Sequence, residues 1–161
     1  MKKPLLLVIA VTVVVAVWGW KRAGEPGLGA KNRLLADRIW IDHVPHNDKD
    51  TINVFAMISE HAAGVFQATS QWRGSYEVFR YEADGADVRL VYPQTGDREA
   101  VRAKAKRCTE GRMDFCLEIA GASRGVQKYY SREGWEIKLG RDLDAVTHQI
   151  DALRAQLAAS E

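Results

Sequence analysis

The residues with the most definite chemistry in this sequence are its two cysteines, Cys108 and Cys116. Each lies in a stretch where polar and apolar residues alternate, which is typical of half-buried β-strands. The two cysteines fall in phase on the polar sides of these stretches, so the pattern predicts a β-hairpin closed by a disulfide. With the cysteines directly opposite, Lys106 would lie opposite Glu118 as an opposite-charge pair. The absence of a Cys-x-x-Cys spacing and of further thiols disfavours redox catalysis and zinc binding.

A second group of possible ligands lies between Asp42 and Asp50, where His43, His46 and Asp48 are weak candidates for binding a metal ion. Their spacing matches no metal motif, and the proline, asparagine and aspartates around them are equally typical of a turn. We therefore predict a solvated turn at this position, with no bound metal and no cofactor.

A row of cations, Arg102, Lys104 and Lys106, shares one face of the first cysteine strand. If that face lined the inside of a cup, the three side chains could contact an anionic group of a ligand. On the outside of a sheet they would be solvated. The small residues Ala103 and Ala105 on the opposite face suggest a tightly packed interior and favour the outside position.

Several classes of function are excluded or disfavoured. The sequence contains no Gly-x-Ser-x-Gly, no phosphate-binding loop and no His-Glu-x-x-His, so we do not expect an enzyme. Of the 23 basic residues, four flank the N-terminal apolar run, and the remaining 19 are outnumbered by 21 acidic residues. The rest of the chain is therefore slightly acidic, which gives no indication of nucleic-acid binding.

Residues 4–20 form an uncharged apolar run between Lys3 and Lys21-Arg22. Its length reaches the lower limit for crossing a bilayer, and Trp18 and Trp20 suit the membrane interface. We predict a signal anchor or transmembrane segment over residues 1–22 and a flexible linker over 23–32. A cleaved signal peptide is the alternative. Either one exports residues 33–161 as a domain on the periplasmic or extracytoplasmic side of the cell membrane, where a disulfide is stable.

The exported domain shows repeated short β patterns separated by turn signals such as Asp84-Gly85. The predicted strands lie within 33–44, 51–59, 65–72, 75–82, 87–92, 98–108, 113–119 and 126–132. About eight strands in an up-and-down antiparallel meander are enough to close a small barrel. A two-sheet sandwich is the alternative, but no long Greek-key connection is evident.

The C-terminal residues change to a helical period, with one apolar stripe formed by Leu143, Val146, Ile150, Leu153 and Leu157. This stripe predicts an amphipathic helix packed on the outside of the barrel. A short dimeric coiled coil is the alternative.

The combination of an exported eight-stranded meander with one C-terminal helix resembles the lipocalin and calycin architecture. Lipocalins carry Gly-x-Trp on the first strand; here the corresponding residues are Arg38-Ile39-Trp40, so the tryptophan matches and the glycine does not. The resemblance implies a cup for a hydrophobic ligand, and it suggests Arg132 as the arginine that packs across the tryptophan.

The predicted function is therefore a membrane-tethered, exported binding protein for a small hydrophobic or amphipathic ligand, such as a lipid. The candidate ligand contacts are Trp40, Phe66, Trp72, Tyr76 and Arg132. Aromatic residues in such a pattern fill a solid core more often than they line a pocket. In that case the alternative is a non-catalytic structural or adaptor module of the cell envelope that binds a protein partner.

Overall fold

The computed structural model describes residues 33–47, 49–70 and 74–137, together with the helical and exposed residues His148 and Ala152. The predicted anchor, the linker and the rest of the predicted C-terminal helix lie outside these residues. No helix in the described part of the chain is long and apolar enough to span a bilayer.

The described chain forms eight β-strands that follow one another around a closed antiparallel barrel. They are β1 (Arg38–Ile41), β2 (Ile52–Ile58), β3 (Ala63–Thr69), β4 (Gly74–Asp84), β5 (Asp87–Val91), β6 (Arg98–Arg107), β7 (Phe115–Ala120) and β8 (Lys128–Ser131). The barrel closes where Ile41 of β1 pairs with Tyr130 of β8. The predicted mostly-β meander and its closure into a barrel are confirmed.

The first strand is shorter than the predicted range 33–44. Asp37 adopts a positive φ of 55°, which interrupts an extended chain just before β1. Its carboxylate accepts a hydrogen bond from the Ser59 backbone N–H at 2.9 Å and another from the Ser59 hydroxyl. Residues 33–37 therefore form a turn that is tied to the β2–β3 connection.

The inside of the barrel is filled by side chains. Phe55, Phe66, Phe79 and Tyr129 are buried and form a cluster of rings with centroids 4.9 to 5.8 Å apart. Below this cluster, the space between the surrounding apolar residues does not admit a molecule the size of water. The aromatic residues therefore act as a solid core, and the space beneath them is closed to a ligand.

One end of the barrel, which we call the closed end, is sealed by residues 33–37. The buried indole of Trp40 donates a hydrogen bond to the Leu35 carbonyl at 3.0 Å. Beside it, the buried guanidinium of Arg38 lies 4.0 Å from the centre of the Phe115 ring and forms an ion pair with Glu136. Aromatic stacking and the ion pair together offset the cost of burying this charge.

The outer surface of β1 and β2 is also buried, and we call it the outer apolar face. Ile39, Ile41, Ile52 and Val54 are each about 1% exposed although they point away from the barrel interior. They form a second hydrophobic cluster to which Ile137, at the end of the described barrel segment, also belongs. Because both sides of these two strands are buried, every residue in them is apolar except Arg38 and Asn53.

The cysteine hairpin has a different register from the predicted one. Cys108 and Cys116 form a disulfide with their Cα atoms 5.7 Å apart, but Cys116 pairs with Lys106, and Glu118 pairs with Lys104. The Cys108 backbone N–H instead donates to the Asp114 carbonyl at 3.0 Å. The prediction that the cysteines are directly opposite was wrong, because Cys108 lies opposite Asp114 and the disulfide joins the two cysteines diagonally.

Candidate functional site

The second end of the barrel, which we call the mouth, is crossed by the β7–β8 connection, residues 121–127. Gly125 lies directly on the aromatic core with a φ of +71°. A Cβ atom there would be 2.2 Å from the Tyr129 hydroxyl oxygen and 2.8 Å from Cδ1 of Phe66, so only glycine fits. The neighbouring Val126 N–H donates to the Tyr129 hydroxyl at 2.9 Å. This connection therefore covers part of the mouth.

Arg124 fastens the connection to the barrel wall. Its Nε donates to Glu77 of β4 at 2.8 Å, and its Nη2 donates to Asp97 at 2.6 Å. The guanidinium also lies 3.8 Å above the centre of the Tyr92 ring. The Arg124 hydrogen bond holds the pKa of the Asp97 carboxyl below its ordinary value, so this pair is ionised at neutral pH.

A second carboxylate, Glu99, anchors the residue before Arg124. It accepts hydrogen bonds from the Ser123 backbone N–H at 2.9 Å and from the Ser123 hydroxyl at 2.8 Å. It also accepts a hydrogen bond from the Tyr92 hydroxyl. Burial raises the pKa of Glu99, but these donors outweigh that effect and the pKa lies below its usual value. Arg124 thus lies among three carboxylates at the mouth, those of Glu77, Asp97 and Glu99.

Beside Arg124 lies a half-open pocket with a volume of about 270 Å³. Its wall combines the apolar Phe66 with polar groups of β2, β4 and the β7–β8 connection. The lining residues are Asn53, Val54, Phe66, Gln67, Ala68, Ser75, Tyr76, Glu77, Arg124 and Gly125. A pocket with an aromatic floor and a few polar groups suits a small molecule that has both apolar and polar parts.

Next to this pocket, the first part of β4 has a strand neighbour on one side only among the described residues. It pairs with β3 from Gly74 to Arg80, whereas its pairing with β5 begins only at Arg80. Tyr76, in the middle of this stretch, is 71% exposed and is the one large apolar side chain exposed to that degree in the described part of the chain. We call residues 74–78 the free edge.

The structure brings together two of the predicted ligand contacts, Phe66 and Tyr76, at the mouth pocket. Trp40 lies inside the barrel against the closed end. Arg132 also lies at the closed end, where its Nε donates to the Arg112 carbonyl at 2.8 Å. The predicted contact Trp72 lies outside the described residues.

The cationic row lies on the outer, exposed surface of β6. Arg102 forms an ion pair with Asp87 at 3.0 Å, and Lys106 forms one with Glu118 at 3.4 Å. Both pairs join neighbouring strands. These cations thus face away from the mouth pocket and from the barrel interior.

Of the three weak metal candidates, Asp48 lies outside the described residues. His43 lies between two carboxylates, with Nδ1 2.9 Å from Asp42 and Nε2 3.2 Å from Asp50. The His46 backbone N–H donates to Asp50 at 3.1 Å and lowers the pKa of that carboxyl. Within the described ranges, no three such side chains are arranged to hold a metal ion.

The sequence prediction missed the residues that organise the mouth, namely Glu77, Glu99 and Arg124. A signal for two of them was present: Glu99 is in phase with the inward Val101 and Ala103, and Glu77 is in phase with the inward Phe79. A carboxylate on the apolar side of a strand indicates a charged partner at that end of the barrel. Arg124 carried no comparable signal, because it follows a turn-like Gly-Ala-Ser.

Comparison of the chain with protein-family models, with curated proteins and with solved structures finds no match.

Proposed function

We propose that this chain is a membrane-tethered, exported binding protein for a small amphipathic ligand that occupies the mouth pocket. The observation that carries the proposal is the half-open pocket of about 270 Å³, in which Phe66 forms an apolar surface beside Asn53, Ser75 and Glu77. The filled interior restricts the ligand to the mouth, so the whole of a long hydrophobic molecule would not be enclosed. This proposal does not depend on membership of the lipocalin family, which no comparison supports.

Two features support the proposed location outside the cytoplasm. The pair Cys108 and Cys116 is at bonding distance, and disulfides persist mainly in oxidising compartments. The predicted anchor over residues 4–20 would place the domain near the membrane surface, where amphipathic molecules are concentrated. These two arguments together support single-pass anchorage with the barrel on the periplasmic side.

The proposal also assigns a position to the predicted C-terminal helix, which we place on the outer apolar face. That face is buried, and the barrel segment ends within it at Ile137. The apolar stripe from Leu143 to Leu157 would be about 21 Å long as a helix, close to the roughly 24 Å of a seven-residue strand such as β2. The stripe and the face therefore match in length and in polarity.

The test of the ligand proposal uses residues 31–161 produced in an oxidising compartment. An environment-sensitive fluorescent fatty acid is titrated into the protein, and native mass spectrometry detects any lipid that co-purifies. In the key variant, Ser75→Trp, a large side chain fills the pocket from an exposed rim position. The matched control is Arg89→Trp, which adds the same side chain at an exposed position of β5.

We expect saturable binding that Ser75→Trp weakens by about tenfold or more, equivalent to ~1.4 kcal/mol, while Arg89→Trp leaves it unchanged. Equal weakening by the two variants, or the absence of saturable binding to the unaltered protein, would refute the proposal.

A second candidate, the adaptor module of the cell envelope, is favoured by a different observation. The solid interior of the barrel is what a structural domain requires, and the free edge of β4 with the exposed Tyr76 is a surface to which another protein can bind. A protein partner would use main-chain groups at this edge and would leave the barrel core undisturbed.

A further inference from the structure

We propose that the free edge binds an extended segment of a partner protein, which adds to the barrel as a strand beside β4. This inference rests on the second candidate function and goes beyond it by naming the mode of binding. The pairing of β4 is incomplete on one side only. Residues 74–79 pair with β3, whereas the pairing with β5 starts at Arg80.

The direction of the backbone groups follows from the contacts on either side of β4. The Tyr81 N–H points toward β3, because it donates to the Ala62 carbonyl at 2.8 Å. Since backbone groups alternate along a strand, those of Gly74, Tyr76 and Val78 point away from β3. In the described part of the chain, the N–H and C=O of Gly74 and Tyr76 have no neighbouring strand on that side.

The backbone of Val78, at the end of the free edge, already binds an amide group. The side-chain amide of Gln94, oriented with its nitrogen toward the Val78 carbonyl, donates to that carbonyl at 2.8 Å, and its oxygen accepts from the Val78 N–H at 3.1 Å. This pair of bonds reproduces what a residue of an adjacent strand would make. Gln94 therefore occupies one position of the missing strand and competes with an incoming one.

The surroundings of the edge define the chemistry of the partner. The free edge of five residues is about 17 Å long, which accommodates a short extended segment. The exposed ring of Tyr76 favours an aromatic or β-branched residue directly opposite, since such cross-strand pairs stabilise antiparallel sheets. Side chains of the added strand that alternate with this residue point toward the mouth pocket, which Ser75 and Glu77 border.

A partner segment fits this position better than a second copy of the barrel. Gln94 belongs to the connection of residues 92–97, which is close enough for its side chain to reach β4. The space beside the free edge is therefore bounded by this connection on the side away from β3. It accommodates one strand more readily than the edge of a second sheet.

The experiment uses the full-length protein in detergent micelles and a phage-displayed library of random 12-residue peptides. Binding clones are selected on the unaltered protein after counter-selection on Tyr76→Pro. Proline is tolerated where the N–H faces away from the neighbouring strand, so this variant removes an edge donor and keeps the β3 ladder. Tyr76→Ala separates the contribution of the ring from that of the backbone, and thermal unfolding checks that each variant is folded.

We expect the selected peptides to alternate apolar and polar residues. Their affinity for Tyr76→Pro should be about tenfold or more lower than for the unaltered protein. Their affinity for Gln94→Ala should be severalfold higher, because the side chain that competes for the Val78 backbone is gone. The amides of Gly74 and Tyr76 should exchange rapidly in the free protein and slowly in the complex. If Tyr76→Pro does not fold, peptides N-methylated at alternate positions replace it, and one of the two methylation registers should abolish binding.

Three results would overturn the inference: no enrichment over Tyr76→Pro, binding that survives the proline substitution and both methylation registers, or a protein dimer held together by this edge. The fatty-acid titration of the unaltered protein tests the small ligand separately, because no peptide is present in it. Saturable fatty-acid binding without any selected peptide would leave the first proposed function standing, and the converse result would leave only the adaptor.

Discussion

Replacement of Gly64 by alanine tests whether the barrel core is packed as tightly as the structure shows. Gly64 is on β3, between Met57 of β2 and Phe79 of β4. A Cβ atom at this position would be 2.4 Å from the Ala56 carbonyl oxygen and 2.4 Å from Cζ of Phe79. Neither atom can yield easily, because the first belongs to the β2 backbone and the second belongs to a fully buried ring.

The expected magnitude follows from two opposing effects. Overpacking a close-packed core costs about 1–3 kcal/mol, and the upper part of this range applies because a backbone atom must move. Alanine in a strand gains back about 0.5–1 kcal/mol, since it loses less conformational freedom on folding than glycine. We therefore expect Gly64→Ala to lower the free energy of unfolding by about 2 kcal/mol.

The assay is urea unfolding of residues 31–161, combined with a double-mutant cycle. Phe79→Leu replaces the ring that meets the new Cβ by a shorter side chain and so relieves part of the clash. The double variant should therefore be about 1 kcal/mol more stable than the sum of the two single effects predicts. Additive effects, or a Gly64→Ala protein as stable as the unaltered one, would show that Phe79 is not packed against β3 as described.

Three other changes have expected outcomes. Replacing both Cys108 and Cys116 by serine should lower the free energy of unfolding by about 2.5 kcal/mol in the chain-entropy model for so short a loop, measured by urea unfolding; no change would mean that the bridge does not form. Burial raises the pKa of Tyr81 and of Tyr129 from 10.0 to about 12, so the stability that each neutral phenol contributes is complete below pH 10.0 and is lost as the pH rises toward about 12. Unfolding measured across this interval should show a loss of about 1.4 kcal/mol per pH unit for each phenol, and Tyr129→Phe should reduce the slope by that amount. Ending the chain after Ile137 should expose the outer apolar face and increase the binding of a hydrophobic dye, and an unchanged signal would argue against the proposed position of the C-terminal helix.

The strand count could be predicted because the information is local. Alternation of apolar and polar residues sets the side of each strand that faces inward, and Asp84-Gly85 sets the position of a turn with φ +60° at the glycine. Closure into a barrel then follows from the need to avoid exposed edges. What remained uncertain was where each strand begins and ends, as the turn at Asp37 illustrates.

The register of the cysteine hairpin could not be predicted, because it depends on backbone angles inside the connection. Gly111 and Arg112 both adopt positive φ values, of 57° and 65°. A sequence pattern indicates such a conformation for glycine but rarely for arginine. The resulting connection moved the pairing by two residues, which leaves every side chain on its predicted side and changes only its cross-strand neighbour.

Which charged residues meet at the mouth could not be predicted, because their contacts join distant parts of the chain. Arg124 is 47 residues from Glu77 and 27 residues from Asp97. Nothing in the spacing of single charged residues shows which of them meet across a barrel. The incomplete pairing of β4 with β5 was missed for a different reason. β4 has 11 residues and β5 has 5, but both read as ordinary β patterns.

The closure of the barrel between β1 and β8 has a consequence for how the chain folds. The Ser131 hydroxyl donates to the Ile39 carbonyl at 2.7 Å across 92 residues, and this contact joins the first strand to the last. Contacts so far apart in sequence form slowly, because the loop between them loses much of its conformational freedom. During synthesis, β1 and β2 would emerge first and wait for β8 with both apolar sides uncovered. The rate at which the barrel closes should therefore govern how long these apolar sides stay exposed to solvent.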